Sequence, residues 1–394
     1  MGLNTFSDIV QTMPPYLFSR FQKKKEELLK IGVDVIDLGI GAPDLPPPSF
    51  VIEALKEALD APEHYTYSPY GGCREYREAV ARFYEREYGV KLDPETEVLA
   101  LIGSKEGIVH LLQAVLNPGE LALVPDPGYP VYRTAVHFAR GQSRSLPLDA
   151  QHGYIPRFDA LPSSVYDQAK IMFLNYPSNP TAAAVDLDVL AEAVSLARRH
   201  RMFIAHDAAY SFVTFAGFQA PSILQVDGAK EVAVEFGSLS KSYNMAGCRI
   251  GYVVGNRDMI RALSVIKSNT DTCQFIPIQK AAAAALMNGQ TFIRENSRIY
   301  EQRMNRMVEK LRELGIDVQR PKATFFLWIP VYDGYSSERF AAKLLEEAGV
   351  IVTPGTAFGP AGEGYVRVSL SAPLERLEQA VERWKQVNWE ESAP

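Results

Sequence analysis

Between about residues 95 and 256 the chain repeats one pattern: a short apolar run, a few polar or Gly/Pro residues, then a longer stretch with apolar residues at helical spacing. The runs are EVLALIG, ELALVPD, KIMFLNY, RMFIAHD, VAVEFGS and RIGYVVG. Alternation of this kind implies βαβ units around a mostly parallel sheet covered on both faces. The intervening DLDVLAEAVSLARRHR supplies the helical half of one unit, with Asp186 placed as an N-cap and basic residues in the last turn. In such sheets ligands bind beyond the carboxyl ends of the strands. Each run ends there in polar or Gly/Pro residues, so the chemistry is expected at those ends.

After residue 256 the pattern changes. One long or kinked helix is expected over about 281–315, then the run ATFFLWIPV, a helix near 337–348, the runs VIVTPGTAF and YVRVSLS, and a final helix. This reads as a smaller α+β lobe. A chain of 394 residues divides naturally into two lobes. The expected division is 1–45 for an N-terminal arm that forms part of the small lobe, 46–285 for a large domain and 286–394 for a small C-terminal domain.

A net charge of −6 gives no reason to expect nucleic acid or an anionic membrane as partner. The basic QKKKEELLK stretch, interleaved with glutamates and leucines, reads as a solvated helix face. Cys73, Cys248 and Cys273 lie far apart, with no CxxC. They argue against a disulfide framework or a structural zinc site and fit a reducing compartment. The first residues lack a basic region followed by an apolar stretch, and no segment approaches the length of a membrane span. A soluble cytoplasmic protein with no metal is expected.

The segment GSLSKSYNMAGCRIG gathers Ser238, Ser240, Lys241 and Arg249 where a strand gives way to a loop. Lys241 alone would read as a surface lysine beside an ion pair. With hydroxyls and a forked cation nearby, it reads instead as a lysine that forms a Schiff base with a phosphorylated aldehyde cofactor. The other strand ends furnish what pyridoxal phosphate requires. Asp207 can face the ring nitrogen, and Tyr210 and Asn179 can reach the ring's phenolic oxygen. Tyr129 offers a face for the ring. Gly103, Ser104 and Lys105 open a helix whose amides suit a phosphate.

These motifs resemble those of the fold-type I pyridoxal-phosphate aminotransferases, and the resemblance spans essentially the whole chain. SLSK…R, NYPSNPT and HDAAY carry it most specifically. It implies a large domain with a mostly parallel sheet flanked by helices, a smaller α+β domain, and ping-pong transfer of an amino group from an L-amino acid to a 2-oxo acid. By the same resemblance Tyr67, in YTYSPYGG, matches a tyrosine sent to the neighbouring subunit's phosphate, which implies a homodimer with shared sites. Arg367 matches the arginine that grips the substrate's α-carboxylate, and Gly41 a backbone contact to it.

MPPYLF, DLGIGAPDLPPP and LVPDPGYPVYR look most like the LL-diaminopimelate aminotransferase branch, which implies that Tyr16 and Lys105 line the substrate pocket. Relatives acting on alanine, aspartate, glutamate or aromatic amino acids are the alternative, as is a C–S β-lyase using the same Lys241, Asp207 and Arg249. Four positions depart from the branch: Gly71 where a glutamate is frequent, Ala182 where glycine is usual, Cys248 where an aromatic is common, and Cys273 at a position that is usually small. A nicotinamide-dependent enzyme would need G-x-G-x-x-G after a first strand, and GIGAPD fails that pattern. An effector-sensing regulator built on this fold would need an added DNA-binding module, for which no segment is evident.

Overall fold

The computed structural model describes residues 6–13 and 17–390. Its main sheet has seven strands, in the order Val98–Leu101, Gly251–Gly255, Ala233–Ser238, Phe203–Asp207, Ala169–Asn175, Leu121–Asp126 and Gln142–Pro147. Neighbours run parallel except at Gly251–Gly255, which is antiparallel to both strands beside it. Successive residues of one strand enter different cores. Met172 and Leu174 join the cluster holding Leu190, Ala193 and Ala197 of helix Leu187–His200. Ile171 and Phe173 join the one holding Ile108, Leu111 and Leu112 of helix Ser104–Val115. Burial on both faces is why these strands read as unbroken apolar runs.

Gln142–Pro147 matches none of the apolar runs. It lies at the sheet edge with Gln142, Ser143 and Arg144 exposed, so burial never demanded an apolar sequence there. Asp186 does hold the N-cap position of Leu187–His200, in extended backbone, but its side chain makes no capping bond. The helix expected over 281–315 is two helices, Ile276–Asn288 and Gln290–Glu313. Gly289 separates them, and a Cβ there would lie 2.2 Å from Cε1 of the buried Tyr243. Only glycine admits so close a ring.

Beyond these helices, Thr353–Pro354, Tyr365–Ser369 and Phe326–Pro330 form a small antiparallel sheet. Ile36–Asp37 pairs in parallel with Val350–Ile351, tying the residues that lead to Gly41 onto this part of the chain. A third apolar cluster gathers here around Phe325, Phe326, Leu344 and Trp384. Among the described residues no helix is long and apolar enough to cross a membrane.

The register of the main sheet decides what sits at its carboxyl edge. Asn175 pairs with Asp207, and Asp207 with Phe236, so adjacent strands end level with one another. Ser238 closes the next strand and Lys241 follows in the single turn Leu239–Ser242.

Candidate active site

At that edge lies a cavity of about 370 Å³ lined by Gly41, Ser104, Lys105, Tyr129, Asn179, Asp207, Tyr210, Ser238, Ser240, Lys241, Arg249 and Arg367. Residues named from separate strand ends in the sequence therefore share one space. The strand ends supply most of them, while Gly41 and Arg367 come from the segments built around the small sheet.

Lys241 points its Nζ at the carbonyl oxygen of Gly41, 2.6 Å away. Burial lowers its pKa to about 8, helped by the positive charges of Arg367 and Arg249 and opposed by Asp207. A Cβ on Gly41 would stand 2.6 Å from Cζ of Phe326, so the carbonyl keeps its place only because residue 41 has no side chain.

Asp207 is buried at the end of its strand. Its Oδ2 accepts the Tyr132 hydroxyl at 2.8 Å, while Oδ1 is buried with no hydrogen-bond partner. Burial pushes the carboxyl above its ordinary value, opposed first by the Tyr132 hydroxyl and then by the charge of His206. A carboxylate oxygen left unpaired in a buried site is costly, and such groups cluster where a ligand completes the bonding.

The Asp207 main-chain carbonyl accepts from Asn175 Nδ2 at 2.8 Å, and Asn175 Oδ1 accepts the Asn179 N–H at 2.8 Å. Asn179 Oδ1 in turn accepts from Arg367 Nη1 at 2.7 Å. Arg367 is buried, donates its other terminal nitrogen to Gly39 O at 2.6 Å, and lies with its guanidinium carbon 4.3 Å from the Phe326 ring centre and 4.8 Å from that of Phe358. A continuous polar chain thus runs from Asp207 to Arg367, fixing their separation.

The opposite wall is cationic. Gly103, at φ 79°, caps helix Ser104–Val115, and a Cβ there would lie 2.5 Å from a terminal nitrogen of Arg249. Arg249 itself takes a left-handed φ of 52° and donates to Ala246 O at 2.9 Å. Ser238 Oγ accepts the Ser240 N–H at 3.2 Å. Burial, with Arg249 nearby, lowers the Lys105 amine. Tyr129 meets Tyr132 edge to face at 5.9 Å, and Tyr210 meets Phe326 the same way at 5.3 Å, which holds both tyrosine rings at the cavity.

Three site-residue assignments stand apart: Gly103 backs the wall through Arg249 without lining the cavity itself. Tyr67 is 88% exposed and lies outside the cavity of its own chain. Tyr16 lies outside the described residues. The four departures, Gly71, Ala182, Cys248 and Cys273, are not among the lining residues.

Sequence reasoning missed Tyr132 and Asn175. Tyr132 follows Tyr129 by three residues in GYPVY and lies one helical turn from it, a spacing that could have raised it. Asn175 is the last residue of strand Ala169–Asn175, but its bond to Asp207 depends on strand register, which no local pattern reveals.

The family model for class I and II aminotransferases matches residues 33–383. The LL-diaminopimelate aminotransferase of Moorella thermoacetica is 48% identical over 378 residues, 96% of this chain and 97% of that protein. Substrate-bound BacF from Bacillus subtilis superposes with a TM-score of 0.94 at 39% identity, covering 98% of each chain. A double mutant of Thermus thermophilus aspartate aminotransferase does so at 0.92 and 31%, covering 98% of this chain and all of that one. The family match and the relatives agree over nearly the whole length: the chain belongs to the class I and II aminotransferases and is itself an aminotransferase.

Proposed function

We propose that the cavity holds pyridoxal 5'-phosphate against Lys241 and that the enzyme moves an amino group from LL-diaminopimelate to 2-oxoglutarate. The unpartnered Oδ1 of Asp207 is the observation that carries this reading, since a protonated ring nitrogen is the donor it lacks. The cationic wall agrees. Ser104, Lys105, Ser238, Ser240 and Arg249 line the cavity together, and a Cβ at residue 103 would strike the Arg249 guanidinium, so glycine there leaves the arginine its place. Tyr129 would cover the ring face, and Asn179 and Tyr210 would face its phenolic oxygen.

When bound, the cofactor supplies an aldehyde that condenses with amines and a cationic ring that absorbs the charge left on the substrate's α-carbon. The chain's own residues do the rest. Arg367, braced by Asn179 and Gly39, holds the α-carboxylate and so orients the Cα–H bond. Lys241, once its amine is free, would take the proton from the substrate's Cα and deliver it across the nitrogen to the carbon of the former aldehyde. A pKa near 8 leaves an appreciable fraction of it unprotonated at neutral pH. Asp207, when ionised, would keep the ring nitrogen protonated.

The donor follows from the Moorella relative and from others of the same name at 43–46% identity, among them that of Aquifex aeolicus. A homodimer with exchanged tyrosines belongs to the proposal. Tyr65, Tyr67 and Tyr70 are 64%, 88% and 52% exposed, a concentration of bare aromatic surface that a second copy would cover. So do the division at 46–285 and 286–394 and a cytoplasmic location, which the free Cys73, Cys248 and Cys273 suit. Adding LL-diaminopimelate to the cofactor-loaded protein should bleach its visible band, and 2-oxoglutarate should restore it. Bleaching by alanine, aspartate or an aromatic amino acid but not by LL-diaminopimelate would move the assignment to another donor. Ammonia and pyruvate from cysteine conjugates would make it a lyase.

A further inference from the structure

The segment that follows Tyr67 is pinned at two points by one side chain. Gln279, in the first turns of helix Ile276–Asn288, is wholly buried. Its Oε1 accepts the Cys73 N–H at 2.6 Å. Its Nε2 donates to Ser68 Oγ at 2.7 Å and to the Gln274 carbonyl at 2.8 Å. The bonds to Ser68 and Cys73 hold both ends of the turn that begins immediately after Tyr67. Gly72, at φ 89°, lies under it, where a Cβ would come 2.3 Å from the Ala100 Cβ and 3.0 Å from Gln279 Oε1. The turn is therefore pressed onto the amide rather than merely near it.

The third bond leads back into the chain's own site. The Gln274 side chain donates to the carbonyl oxygens of Leu101 and Arg249, the latter at 2.5 Å. Arg249 has its own anchor at Ala246 O, so its place does not depend on Gln279 alone. Tyr67 stands between the Thr66 hydroxyl, which donates to Glu63 O at 3.0 Å, and Ser68, whose oxygen Gln279 holds directly.

We infer that Gln279 is a positioning residue that acts in trans: it sets the pose of Tyr67 for the cofactor pocket of the other subunit. The inference rests on the exchange of Tyr67 proposed above. An amide at residue 279 is required because the turn presents both a donor, the Cys73 N–H, and an acceptor, Ser68 Oγ. Only a side chain with both functions satisfies the two without leaving a buried group unpaired.

Two variants test it. Gln279→Glu keeps the acceptor for Cys73 and removes both donors, and Ser68→Ala removes one acceptor with little change in packing. Each is placed in mixed dimers in which one chain also carries Lys241→Ala, so that a single site per dimer retains the lysine. Affinity for added pyridoxal phosphate is then read by the visible band, with thermal melting as the check on folding. With Gln279→Glu on the Lys241→Ala chain, affinity at the remaining site should fall by about tenfold, the worth of a lost buried hydrogen bond. With Gln279→Glu on the lysine-bearing chain, it should stay within about twofold of wild type. Should Gln279→Glu fail to fold, Ser68→Ala in the same two arrangements should lose affinity only in the first. A loss that follows the lysine-bearing chain, or none in either arrangement, overturns the inference while leaving the proposed function standing. A wild-type protein that takes up no pyridoxal phosphate ends both.

Discussion

Tyr132 donates its hydroxyl to Oδ2 of Asp207 at 2.8 Å, and its own ring stacks on Phe173 at 4.8 Å, so the donor is fixed from behind by the core. Burial raises the Asp207 carboxyl and this bond is the leading influence against it. Tyr132→Phe should therefore raise it further. Because the proposed cofactor chemistry needs Asp207 ionised, activity would be lost from the acid side first. The acid limb of the kcat/KM profile should move to higher pH, as expected when a hydrogen bond to the charged form is lost, with the alkaline side unchanged. A pH–rate series on the variant checks this.

Lys241 offers a second titration. Burial, then Arg367 and Arg249, bring its amine down to about 8. In cofactor-stripped protein, acylation of Lys241 should reach half its maximal rate near pH 8, well below the about 10.4 of an ordinary lysine. Removing a positive neighbour favours the charged form, so Arg367→Gln should move that midpoint upward. Peptide mass spectrometry of the labelled protein across pH reads both.

Arg367→Gln should also separate binding from chemistry. The residue keeps its supports at Asn179 and Gly39 only as a guanidinium, and its loss removes a paired charge for the substrate carboxylate. A fall in kcat/KM of about 100-fold or more is expected, the scale of a buried charged hydrogen-bond pair. Steady-state kinetics with the amino donor should show most of it in KM.

Lys267 is wholly buried, with Nζ 2.7 Å from Asp271 and 3.1 Å from Glu106, and Glu106 stands next to Lys105 in the first turn of the helix that opens the cationic wall. Lys267→Met would leave those carboxylates without their cation. Stability should drop by about 3–5 kcal/mol, as when one partner of a buried pair is removed. Denaturant unfolding of variant and wild type measures it.

The architecture was open to reading because both faces of the sheet are buried, so each of its central strands had to be an apolar run. Gln142–Pro147 escaped for the opposite reason, as an edge strand with Gln142, Ser143 and Arg144 in solvent. The residues lining the cavity were legible where a strand end carries a side chain whose chemistry announces itself, as the carboxylate of Asp207 and the hydroxyl of Ser238 do. Asn175 was not, since its contact with Asp207 comes from strands paired across the intervening helix Leu187–His200. Nor was the break at Gly289, which the approach of Tyr243 imposes from 46 residues away (289 − 243).

The most direct measurement is covalent. Protein loaded with pyridoxal phosphate, reduced with borohydride and digested, should carry the cofactor's mass on the peptide containing Lys241, and Lys241→Ala should carry none and lose transamination. An adduct on Lys105 or any other lysine, or a Lys241→Ala enzyme with near-normal turnover, would contradict the account.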